Sequence, residues 1–230
     1  MTAALAAGCG VLGLVVGVLV LVVIERVPEH ASVVRAPFPE IRAGLRTTAG
    51  WLTVITTGAL FSAMALRFSD DWALPAYLLL AASLVALCVI DLRVYLLPNR
   101  IISPTAIASI VWFAVAAAAE SDADPFLRAI ACAVGAFLVF MVLHLVSPRA
   151  MGFGDVRLSF LLGLDLGWLG VGEVVLGLLL GFVYAAVVGV VLLATRVRSR
   201  KDHIPFGPFL AAGAVTAVLV GSAIDDWYNG

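Results

Sequence analysis

A chain of 230 residues that is 63% hydrophobic and only 13% charged, with a mean hydropathy of +1.13, departs from soluble domains, which run about 45–50% apolar and about 25% charged. Its solvent is the bilayer. A formal net charge of −1 leaves no basic surplus for a phosphate backbone, which excludes nucleic acid as a partner. Cys9, Cys88 and Cys132 each lie inside an apolar block without CxxC spacing, so neither a disulfide framework nor a thiolate zinc site is expected.

The first apolar block, residues 3–24, has no basic segment ahead of it and exceeds the h-region of a signal peptide, about 7–15 residues, so it reads as a retained first span. Residues 25–49 carry three prolines and four arginines and are too short to build a folded domain; they form a loop. Further apolar blocks follow at 50–66, 73–90, 101–119, 127–146, 156–171, 174–195 and 206–223. Each crosses or nearly crosses a hydrocarbon layer about 30 Å thick when helical. Blocks of about twenty residues without period-2 alternation favour a helical bundle over a barrel. The expected fold is all-α: one membrane domain over 1–230 of about eight spans, with residues 50–223 forming a core of about seven.

Eight spans place alternate loops on opposite sides, and the loop charges then separate. One side holds Arg26, Arg35, Arg42, Arg46, Arg93, Arg100, Arg149, Arg157, Arg196, Arg198, Arg200 and Lys201; only Arg67 and Arg128 fall on the other, with Asp70, Asp71, Glu120, Asp122, Asp124, Asp165, Glu173, Asp225 and Asp226. The positive-inside rule makes the basic side cytosolic and both termini external. The run Arg196 to Lys201 reads as an orientation anchor that also favours anionic membrane lipid. Gly13 and Gly17, Gly163 and Gly167, and Gly177 and Gly181 have the GxxxG spacing that lets helix backbones approach closely. Packing within the chain is the expected use, with a homo-oligomer the alternative.

Asp91 directly follows the apolar run Leu84 to Ile90, at the cytosolic end of the third span, and Pro98 stops or kinks the chain before the fourth. A carboxylate there is costly unless it snorkels, pairs or works; alone it could be a helix-end acid paired with Arg93 or Arg100. The next cytosolic loop, Met151-Gly152-Phe153-Gly154-Asp155-Val156-Arg157-Leu158, delivers a second carboxylate at the start of the sixth span. Gly152 and Gly154 allow positive φ and close approach of a substrate or another helix; alone, Asp155 could be an acid answering the helix dipole. Two carboxylates at one depth on one face can share a proton, because like charges a few ångströms apart do not both ionise cheaply. The ionised member can take a proton from a water attacking a peptide carbonyl while the protonated member stabilises the oxyanion and later protonates the amine. No metal or other cofactor is required. His30, His144 and His203 lack ligand spacing, with His144 read as packed in a helix interface, and Ser147 and Ser159 lack a serine-protease context.

At these residues the chain resembles the type IV prepilin leader peptidases, GxGD intramembrane aspartic peptidases. Three stretches carry the resemblance: Asp91 through Leu97-Pro98-Asn99, then Met151 to Leu158, then Ile204-Pro205-Phe206-Gly207-Pro208-Phe209-Leu210-Ala211. It implies that Asp91 and Asp155 are the catalytic aspartates, supported by Pro98, Asn99, Gly152, Gly154, Arg157, Pro205, Phe206, Gly207 and Pro208. It also implies leader removal from prepilins or pilin-like secretion proteins at the cytosolic face of a bacterial or archaeal cell membrane. Larger members carry a cysteine-bearing cytosolic domain after the first helix and methylate the new amino terminus. Residues 25–49 contain no cysteine, so peptidase without methyltransferase is expected, and Arg157 replaces a common lysine. A basic leader would meet acids such as Glu25, Glu29 or Glu40. The competing expectations are a proton-coupled transporter using Asp91 and Asp155, which wants acids near the midplane, and an inactive pilin-assembly scaffold.

Overall fold

The computed structural model describes residues 2–28, 39–69, 71–148, 151–195 and 205–229. Its elements, in order, are α1 (Thr2–Arg26), α2 (Pro39–Gly44), α3 (Thr48–Arg67), α4 (Leu74–Val94), α5 (Asn99–Glu120), α6 (Asp124–Val146), α7 (Phe153–Leu169), α8 (Val171–Ala194) and α9 (Gly207–Asn229). The fold is all-α, with no strand among the described residues. Each expected span coincides with one helix, its ends shifted by a few residues. Among the described residues six helices, α1, α3, α4, α5, α6 and α8, are long and apolar enough to cross a membrane, and the chain is an integral membrane protein. The 17 residues of α7 reach about 25 Å at 1.5 Å per residue, and the apolar part of α9 is the shorter Gly207–Gly221. The helix α2 sits within the stretch expected to be loop, too short to carry an apolar period.

The chain divides into two compact units, residues 1–126 and 127–230. In the first, α1 packs on α3 through small residues. A methyl group built on Gly13 would lie 2.9 Å from Gly58 Cα, and one on Gly17 2.8 Å from Val54 Cα, so backbone replaces side chain at the seam. Thr47 caps α3 by accepting from Gly50 N–H at 3.0 Å. Helices α4 and α5 are tied by the buried Ser83–Thr105 hydroxyl pair at 2.8 Å. Phe68 stacks on Tyr77 with ring centroids 4.1 Å apart, and Tyr77 meets Phe113 edge-on at 6.0 Å.

In the second unit α6 and α7 run antiparallel, with a methyl on Gly163 falling 3.0 Å from Ala133 Cα and one on Gly167 3.0 Å from Ala129 Cα. Helices α8 and α9 are also antiparallel, Gly181 facing Leu210 Cα at 3.0 Å and Gly177 facing Ala214 Cα at 3.4 Å by the same construction. All three GxxxG pairs are therefore used within the chain. Arg128 donates to the carbonyls of Gly167, Trp168 and Leu169 at 3.0, 2.6 and 3.2 Å, satisfying the last turn of α7, whose carbonyls have no partner in the helix itself. That role explains one of the two arginines that stood apart from the charge sorting. Asp165 and Glu173, expected in the outer loop, are instead buried within α7 and α8.

Candidate active site

Asp91 lies within α4, three residues before its end at Val94, rather than just beyond the span, and it is buried. Its carbonyl accepts from Tyr95 N–H at 2.9 Å, the bond that closes the helix. Tyr95 is left-handed, at φ 55° and ψ 41°, a conformation that costs a residue with a Cβ about 1–2 kcal/mol. The turn just after Asp91 therefore stores strain, and the sequence gives no sign of it because tyrosine is not a left-handed residue by preference.

Pro98 is buried and precedes the first residue of α5 in extended conformation, at φ −68° and ψ 126°. Its carbonyl accepts from Ile101 and Ile102 N–H at 3.0 and 3.3 Å, starting the helix. Exposed Asn99 accepts from Ser103 Oγ at 2.8 Å through Oδ1. Arg93, one of the two partners considered for Asp91, bonds Glu25 at the end of α1. Glu25 is thereby engaged, while Glu29 and the Glu40 side chain lie outside the described residues.

Asp155 is the third residue of α7 and is buried. Gly152 N–H donates to its Oδ2 at 3.1 Å, and its own N–H donates to Gly152 O at 3.1 Å. The carboxylate closes the reciprocal half of a capping box on the residue just before the helix. The freedom of the two glycines to adopt positive φ is not used here: no described glycine lies in the left-handed region. Gly152 stands at φ −70° and ψ 151°, a basin open to any L-residue, and Gly154 is helical. Arg157 places its guanidinium 4.6 Å from the centre of the Phe153 ring, a cation–π contact.

His144, in the last turn of α6, sets Nδ1 2.8 Å from Met151 O. Its ring centroid is 5.7 Å from that of Phe153. It is thus more than a packed histidine, and sequence spacing could not have found a bond to a loop carbonyl.

Pro205 to Pro208 stand at the start of α9 in the same unit as Asp155. The antiparallel pairs α7/α8 and α8/α9 bring the first turns of α7 and α9 to the same end of that unit. Phe206 packs on Phe182 at 5.0 Å, and Phe182 on Phe140 at 5.7 Å, so this motif is pinned by an aromatic cluster joining α6, α8 and the α9 start. Phe206 O accepts from Phe209 and Leu210 N–H at 3.1 and 3.2 Å, and Gly207 is buried. Ile204 lies outside the described residues, as do Arg149 and the run Arg196 to Lys201. Among the described residues no group of three or more His, Cys, Asp or Glu is placed to hold a metal ion.

The comparisons with known proteins agree on one family. A model of the type IV leader peptidase family matches residues 78–194, a range that contains Asp91 and Asp155. The chain is 32% identical over 182 residues to the prepilin leader peptidase/N-methyltransferase of Aeromonas salmonicida, covering 77% of this chain and 60% of the relative. It is 31% identical over 178 residues to the protein of that name from Pseudomonas aeruginosa, with the same shares. Against the one from Bacillus subtilis it is 26% identical over 174 residues, 76% of this chain and 67% of the relative. It spans about 60% of the length of the first of these relatives. No solved structure matches significantly. With the matched segment covering α4 from residue 78 through the end of α8, the chain belongs to the type IV leader peptidase family.

Proposed function

We propose that this chain is a membrane aspartic endopeptidase that removes the leader of type IV prepilins or pilin-like secretion proteins, with Asp91 and Asp155 as its catalytic pair. One observation carries the reading most: in a chain of family members named as prepilin leader peptidases, each of these two buried carboxylates sits in a terminal helical turn. By the alternation of spans and loop charges, both turns belong to the cytosolic face, where a leader ahead of an apolar helix is accessible.

In the mechanism the ionised carboxylate accepts a proton from water as it attacks the scissile carbonyl. The protonated carboxylate donates to the oxyanion and then gives its proton to the leaving amine. Neither a covalent intermediate nor a metal takes part. Gly152, Gly154 and Arg157 support the site at the start of α7, which carries Asp155, while Pro98 and Asn99 at the start of α5 and Pro205 to Pro208 at the start of α9 support it from neighbouring helices. Membrane lipid is the surrounding partner.

The test is co-expression with candidate prepilins. Leader removal that depends on this chain supports the reading, and intact prepilin in the presence of abundant, membrane-inserted protein contradicts it.

A further inference from the structure

We infer that His144 is a positioning residue for Asp155, acting through the single peptide group that joins Met151 to Gly152. The inference rests on the catalytic reading of Asp155 given above. The two ends of that peptide are both engaged. Its carbonyl oxygen, on Met151, lies 2.8 Å from His144 Nδ1. Its N–H, on Gly152, donates to Asp155 Oδ2 at 3.1 Å.

A carbonyl only accepts, so Nδ1 carries the proton in this bond, and in the neutral ring Nε2 is left as the acceptor. The peptide is planar and stiff. A donor on its oxygen therefore fixes the tilt of the plane, and with it the direction in which the Gly152 N–H points. The same bond draws electron density toward the oxygen and strengthens the N–H as a donor, since hydrogen bonds in a chain polarise one another. His144 thus sets both the aim and the strength of the bond that holds Oδ2.

The loop needs this help. Met151 is buried, but Gly152 is exposed, and a methyl group built on it would meet only Asp155 Oδ2 at 3.4 Å and Gly154 N at 3.9 Å, so the Gly152 end of the peptide has little packing of its own. The Met151 N–H is anchored to Ser147 O at 3.3 Å, a bond on the preceding peptide that does not itself orient the one joining Met151 to Gly152. His144 itself stands on α6, a rigid platform, and its ring also braces Phe153 at 5.7 Å, two residues before Asp155. Phe153 in turn carries Arg157 at 4.6 Å. One side chain therefore reaches the helix start by a hydrogen bond and by a ring contact.

Two substitutions separate these contacts. His144→Phe keeps an aromatic ring against Phe153 and removes the donor. His144→Asn removes the ring but places an amide N–H near the position of Nδ1. With the purified full chain and a prepilin substrate, His144→Phe is expected to lower kcat roughly 10- to 100-fold, the scale of a catalytic group displaced by about 1 Å, with KM within about twofold. His144→Asn is expected to recover to within about threefold of wild type.

Wild-type kcat in His144→Phe overturns the inference, and so does a His144→Asn variant as slow as His144→Phe. A wild-type measurement does not depend on either variant folding: nitrogen NMR of the ring must show Nδ1 protonated, and an unprotonated Nδ1 overturns it. Asp155→Asn is assayed in parallel. Cleavage by Asp155→Asn would sink the catalytic reading itself, whereas a dead Asp155→Asn beside a fully active His144→Phe sinks only the role of His144.

Discussion

Asp155 is held by backbone: its Oδ2 takes the Gly152 N–H at 3.1 Å, so the glycine loop and the carboxylate form one unit of geometry. Gly154 lies one residue before it in the first turn of α7. Because its backbone is helical and no described glycine is left-handed, alanine there suffers no backbone strain and gains about 1 kcal/mol of helix propensity. Gly154→Ala should therefore melt at or above the wild-type temperature in detergent. Its kcat/KM should fall roughly tenfold, since a methyl group obstructs an extended substrate beside the carboxylate. Full activity would reduce Gly154 to a connector, and a large loss of melting temperature would make it a packing residue. That both acids lie at helix ends was legible in the sequence, because an acid bordering an apolar block is costly and conspicuous. The left-handed Tyr95 and the bond from His144 to Met151 O were not, since each depends on how a helix end is closed in three dimensions.

The helices pack through glycine, and the seams are unequal in what they tolerate. A methyl on Gly163 would fall 2.7 Å from Cys132 O and 3.0 Å from Ala133 Cα, against backbone that cannot step aside, whereas Gly135 and Gly189 have nothing within 4 Å of the same construction. Gly163→Leu should thus cost at least the roughly 1–3 kcal/mol of an overpacked core. It should sharply lower the amount of folded protein recovered from membranes. Gly189→Ala should be recovered at wild-type levels. Equal recovery of the two variants would mean that α6 and α7 do not meet through this seam. Period and length revealed the spans and the GxxxG pairs. They could not reveal the six-residue α2, too short for a period, nor show that α7 begins as early as Phe153 rather than at 156. That boundary is set by the capping bond to Gly152, which a hydropathy block does not register.

Across the whole chain, twelve basic residues on one set of loops against two on the other predict the sidedness, and Arg128 is now accounted for by the α7 carbonyls it caps. In a background without Cys9, Cys88 and Cys132, Ala123→Cys should be labelled by an impermeant thiol reagent in intact cells. Glu40→Cys should be labelled only after permeabilisation; the reverse pattern would invert the topology. Residues 25–49 hold no cysteine, so pilin processed by this chain alone should carry an unmethylated new amino terminus by mass spectrometry even with methyl donor present, and stoichiometric methylation would refute that expectation. The central claim is that two carboxylates act as one catalytic group. Its most direct measurement is cleavage of a purified prepilin by wild type, Asp91→Asn, Asp155→Asn and the double variant, each at equal folded concentration. Each single variant should lose essentially all activity and the double variant no more than either, because groups that act as a unit are not additive; substantial leader removal by either single variant would contradict the account.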